Sequence, residues 1–115
     1  MLAEGARLEG DIERIQGSGE PPLHGWYPYN ILANVPRLQR LLDAAGLGLP
    51  EPKHGLPVLD IGAADGHMSF LFERLGHEVD AIDHPATNFN YMNGIRQLAG
   101  SLNSAIRIHD IKFDV

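Results

Sequence analysis

Hydrophobic positions along the chain change their period between the first half and the second. Within Leu2 to Gln16, the residues Leu8, Ile12 and Ile15 recur at helical spacing, which predicts a short amphipathic helix. Gly17-Ser18-Gly19 and Pro21-Pro22 end it and open a loop that runs to Asn30. Three aromatics, Trp26, Tyr27 and Tyr29, fall in this Pro/Gly-rich loop, so it reads as a docked segment rather than a linker. Ile31, Val35, Leu38 and Leu42 then form one stripe of a second helix, with Asn34 as the expected cap and Pro36 in the first turn. Gly46 and Gly48-Leu49-Pro50 end that helix, and residues 47–56 read as a connector.

From Pro57 the pattern becomes that of alternating strands and helices. Pro57 to Ile61 is a short, nearly all-apolar run, expected of a strand buried on both faces of a parallel sheet. Gly62 to Gly66 is a small-residue turn. Met68, Leu71, Phe72 and Leu75 predict a helix that stops at Gly76. Glu78 to Asp83 reads as a second strand, and His84 to Asn90 as a polar loop. Met92, Ile95, Leu98 and Leu102 lie in phase on another helix, and Ala105 to Ile111 reads as a third strand. The order α, α, β, α, β, α, β predicts an α/β fold with a parallel sheet and right-handed crossovers. Leu38, Leu42, Leu71 and Leu75 are expected in the core. Residues 1–53 form the expected N-terminal helical extension, and residues 54–115 the sheet-bearing half domain.

The chain has 115 residues, 43% apolar and 21% charged, with a net charge of −6. That is one small soluble-type domain with too few Lys and Arg for a general phosphate-backbone binder. It has no cysteine, which excludes disulfides and thiolate metal sites. No apolar run approaches the roughly 20 residues of a membrane span. The acidic N-terminus does not read as a secretory signal, so the expected compartment is the cytoplasm. The six histidines show no metal-ligand spacing; they are expected in loops or at the surface, and no metal is assigned. His24 and His67 stand out, one ahead of the aromatic loop and one at the start of the helix after the glycine turn.

The candidate chemistry lies between Val58 and Asp83. A strand runs into Asp60-x-Gly62-x-x-x-Gly66, a helix starts at once, and Asp83 closes the following strand. Glycines let backbone approach a ligand closely, and an acid at this place can accept the hydroxyls of a ribose. These elements meet at the carboxyl ends of parallel strands, where open α/β sheets bind ligands. The G-x-G-x-x-G dinucleotide fingerprint fails at Ala64 and His67, and no phosphate-binding P-loop occurs. Asp65 has a simpler reading as the cap of the next helix. Trp26, Tyr27 and Tyr29 read as a staple for the extension, or as a lid.

Val58-Leu59-Asp60-Ile61-Gly62-Ala63-Ala64-Asp65-Gly66 resembles the first motif of class I S-adenosylmethionine-dependent methyltransferases. The resemblance covers residues 57–111 and implies a Rossmann-like parallel sheet. It implies a cofactor held by Asp60, Gly62, Ala63, Ala64, Gly66, Asp83, His84, Asp110 and Ile111. In that mapping Asp83 takes the ribose and Asp110 the adenine amino group, with His84, His109 and Ile111 beside the ring. Asp60 and the backbone at Gly62 face the methionine end. The absence of Lys and Arg around the turn, apart from Arg74 within a helix, suits a cofactor with a sulfonium and an ammonium. Trp26-Tyr27-Pro28-Tyr29 and Thr87-Asn88-Phe89-Asn90 are similar to a group related to the tRNA wobble-uridine (5-methoxyuridine) methyltransferases.

The family's domain has seven strands, and this chain offers three. The resemblance therefore implies the first half of such a domain, without the segment that supplies acceptor-binding or catalytic groups, and no catalytic residue is assigned. The acceptor, a small molecule or tRNA, is not specified by these residues. The alternative is a non-catalytic cofactor-binding or assembly module; a dinucleotide-binding domain is a further one. The first strand, central in the family, becomes an apolar edge here. Either a second copy, giving a homodimer, or the N-terminal helices are expected to cover it.

Overall fold

A computed structural model describes residues 1–112. Helix α1 spans Leu2–Ser18, α2 Val35–Ala44, α3 His67–Arg74 and α4 Asn93–Ser101, with strands β1 Val58–Ile61, β2 Val79–Asp83 and β3 Arg107–Asp110. The three strands are parallel, in the order β1-β2-β3, with Val58 beside Val79 and Asp83 beside Asp110. The α/β class and the parallel, Rossmann-like sheet are as expected. The last residues of the expected half domain, 113–115, lie outside the described residues.

Helix α3 follows β1 and α4 follows β2, and each connection moves one place along the sheet. Right-handed crossovers that advance in one direction put their helices on one face. The burial pattern agrees. Val79, Ala81 and Ile106 are buried beneath the helices, and Val58 and Ile108 are packed beside them. The alternate residues point the other way. On that side Leu59 is 55% exposed and Ile61 64%. A β1 buried on both faces is therefore not what forms: only the face toward α3 is covered.

The N-terminal helices do not cover the remaining face either. Helix α1 packs on α2, α3 and α4, so the extension thickens the side that was already helical. Leu8 and Ile12 of α1 share one core with Phe70, Leu71, Met92, Ile95 and Leu98. Trp26 packs against the same core, as a staple should. Helix α2 contributes less than its stripe suggests. Only Val35 is buried, Leu38 and Leu42 are half-buried, and Leu75, just after α3, is likewise half-buried. Asn34 does not cap α2 with its side chain; a 3-10 turn over Ile31–Asn34 leads directly into the helix. Two of the six histidines, His67 and His77, are buried rather than at the surface. Among the described residues, no helix is long and apolar enough to cross a membrane.

Candidate functional site

The turn after β1 is built on left-handed backbone. Gly62 has φ +76° and Gly66 +88°, while Ala64, at +54°, adopts a conformation that alanine rarely takes. The strain is held by neighbours. The Gly62 and Ala63 N–H groups donate to the Ile82 carbonyl at 2.8 and 3.1 Å, and the Ala64 N–H donates to Asp83 Oδ2 at 2.8 Å. The turn and the end of β2 thus form one unit. Asp83 is what clamps the loop in its shape.

The two glycines differ in what surrounds them. A Cβ at Gly62 would meet nothing within 4 Å, so this side of the turn is open to a ligand. A Cβ at Gly66 would lie 2.7 Å from Ile95 Cγ1 and 2.9 Å from the Phe70 ring. The space at Gly66 is filled by core packing, not left for a ligand. Ala63 and Ala64 are buried.

Asp83 is half-buried and already well supplied with donors. Its Oδ2 accepts from Ala64 N–H and, at 3.0 Å, from Asn88 Nδ2; its Oδ1 accepts from His84 N–H at 2.8 Å. A carboxylate has about four lone-pair sites, so roughly one is left for an incoming hydroxyl. His84 turns its Nδ1 to the Ala86 N–H at 3.2 Å. Asp60 lies on the helix-covered face of β1 and accepts from Ser69 Oγ at 2.6 Å. Asp110 is exposed beside Asp83 in register, with Arg96 of α4 at 3.7 Å. Ile111 is 42% exposed, and its N–H donates to the Asp83 carbonyl at 3.0 Å. Asp83, Asp110, Gly62 and Ile111 therefore gather at the carboxyl ends of the strands.

His109 does not join them. It pairs with Ile82 in register, and its Nε2 lies 2.8 Å from Asp80, which Arg107 also holds. Strand alternation turns it to the open face, away from the Asp83 side. The Arg107 guanidinium, and next the His109 ring, hold the Asp80 carboxyl far below the usual carboxylate range.

Asp65 does not cap α3. It is fully buried, and its Oδ2 accepts from the Tyr27 N–H at 2.8 Å while Oδ1 accepts from Asn90 Nδ2 at 2.8 Å. Asn90 also donates to the Gly25 carbonyl and accepts from the Gly94 N–H, and a Cβ at Gly94 would collide with Asp65. Asn88 Oδ1 accepts from the Asn90 and Met92 N–H groups, ordering the entry to α4. This asparagine network ties the aromatic loop, the glycine turn and the loop after β2 together. The Thr87-to-Asn90 run was its only trace in the sequence. Tyr27 adds a further tie, accepting from the Phe89 N–H at 2.9 Å.

A concave feature lies beside the aromatic loop. It is a cleft of about 230 Å³ between α1 and that loop, lined by Glu9, Glu13, Tyr27, Tyr29 and His67 among others. No family model, curated protein or solved structure matches this chain.

Proposed function

We propose that this chain is the cofactor-binding portion of an S-adenosylmethionine-dependent methyltransferase. The observation that carries the reading is the open space beside left-handed Gly62, next to the Asp83 carboxylate and across from Asp110. A nucleoside lying over the strand ends would set its ribose against Asp83 and its base toward Asp110 and Ile111. The cofactor supplies a methyl group on a sulfonium. The protein's part is to align acceptor and methyl group, and a base is needed only where the acceptor must lose a proton.

Asp83 sets a condition on this reading. Gripping both hydroxyls of a ribose needs two acceptor sites, and the fold leaves about one. Binding therefore requires the Asn88 or His84 hydrogen bond to yield. The same fact favours a second reading, in which Asp83 is a structural pin and the chain is a non-catalytic module.

Calorimetric titration with S-adenosylhomocysteine separates the two. The methyltransferase reading expects saturable micromolar binding that Asp83→Asn weakens by at least about tenfold, roughly 1.4 kcal/mol. Circular dichroism of the variant checks that it remains folded. Absence of heat with the intact protein rejects the reading, and heat with NADH alone would point to a dinucleotide.

A further inference from the structure

Asn88 is attached at both ends of its side-chain amide, and the two attachments differ in kind. The residue is buried. Its Nδ2 donates to Asp83 Oδ2 at 3.0 Å and to the Ala64 carbonyl at 3.4 Å. Its Oδ1 accepts from the Asn90 N–H at 3.1 Å and from the Met92 N–H at 2.8 Å. One side chain thus joins the carboxylate at the strand ends to the entry of α4.

That entry is strained. Tyr91 and Met92 have φ +56° and +67°, so two successive residues with side chains lie in the left-handed region. Such conformations persist only where the surroundings over-determine them, and they gather at ligand clamps and switch regions. Here the Asn88 carbonyl oxygen holds the Met92 N–H, and the Met92 side chain is buried in the core. The same short segment carries the exposed rings of Phe89 and Tyr91.

A ribose on Asp83 needs a second acceptor site there, so one of the present donors has to leave. The Ala64 N–H belongs to the backbone clamp of the glycine turn, and the His84 N–H belongs to the next residue of the chain; both lie at 2.8 Å. The Asn88 bond is longer and comes from a side chain, and the Ala64 carbonyl stands by as a second acceptor for its Nδ2. It is the bond that yields at least cost.

We propose that the vicinal diol of a nucleoside bound at Asp83 displaces the Asn88 amide, and that Asn88 passes the change on to residues 88–92, loosening the strained entry of α4 and the segment that carries the Phe89 and Tyr91 rings. This rests on the cofactor reading of Asp83 and adds a conformational response to it.

The test is amide hydrogen exchange of the full chain, followed by nuclear magnetic resonance, with and without saturating S-adenosylhomocysteine. A ligand that binds the folded state ordinarily slows exchange. Here the Asn90 and Met92 amides exchange at least about threefold faster with ligand, while the Val58 amide, which donates to Glu78 within the sheet, does not speed up. Asn88→Ala removes the competing donor. Its Asn90 and Met92 amides exchange fast without ligand and no faster with it, and S-adenosylhomocysteine binds it about threefold more tightly than the intact chain. A residue that only held the fold together would give weaker binding on removal. Should circular dichroism show the variant unfolded, the exchange comparison in the intact chain decides. Absence of binding in the calorimetric titration rejects the cofactor reading and this proposal together. Binding that leaves exchange at Asn90 and Met92 unchanged or slower overturns the coupling alone, as does weaker binding by a folded Asn88→Ala.

Discussion

The two faces of the three-stranded sheet come from the same three segments and have opposite fates. On one, Val58, Val79, Ala81, Ile106 and Ile108 pack under α3 and α4, with α1 stacked beyond. On the other, Leu59 and Ile61 are open to solvent, and Asp80, Arg107 and His109 form a charged cluster. Strand composition does not produce the difference, since Leu59 is as apolar as Val58. The crossovers produce it: each advances in the same direction, so each helix lands on the same side.

The largest effects belong to the covered face. Phe70→Ala removes a side chain that is 1% exposed and should cost about 3–5 kcal/mol, read from chemical denaturation. Gly66→Ala should cost about 3 kcal/mol, because it combines left-handed strain with overlap against Ile95 and Phe70. Gly62→Ala carries the strain alone and should cost about 1 kcal/mol. Equal losses at the two glycines would break the distinction between a packed and an open side of the turn.

The charged cluster gives an effect of intermediate size with a defined pH dependence. The Asp80 pKa is lowered in the folded state, mainly by Arg107, from an ordinary value of 3.8. Its contribution is thus fully present above that value and is lost as pH falls toward the lower folded value. Asp80→Asn should lower the melting temperature modestly at pH 7 and have progressively less effect as the pH drops below 3.8. Salt should shrink the difference as well, since the pair is near the surface. A difference independent of pH would remove the ion pair from the account.

Leu59→Ser and Ile61→Ser should change the stability of the isolated chain by no more than about 0.5 kcal/mol. A loss above about 1 kcal/mol that grows with protein concentration would instead mean that another surface covers this face in solution.

Much of the fold was legible in the residues. The change from helical stripes to short apolar runs placed every strand to within a few positions, and the glycine turn placed the strand-to-helix switch. Less could be read of burial. Leu38 and Leu42 carry the right period, yet α2 has few partners, so the stripe is only half covered. Periodicity says which face of an element is apolar, not whether a neighbour arrives to cover it. The roles of Asp65 and Asn90 were hidden for a similar reason. Their partners, Tyr27 and Gly25, are far away in sequence, and a buried carboxylate looks the same on paper as a helix cap.

By itself, the sequence determined the element types and their order, the parallel sheet, and the gathering of Gly62, Asp83 and Asp110 at its carboxyl end. These follow from local periodicity, turn chemistry and the chirality of crossovers, all of which act over short stretches of chain. Only the tertiary structure decided that Gly66 serves packing while Gly62 faces open space, that Asp83 clamps the turn, and that His67 is buried. Those outcomes depend on which distant side chains meet, and that is set by the packing of whole elements against one another.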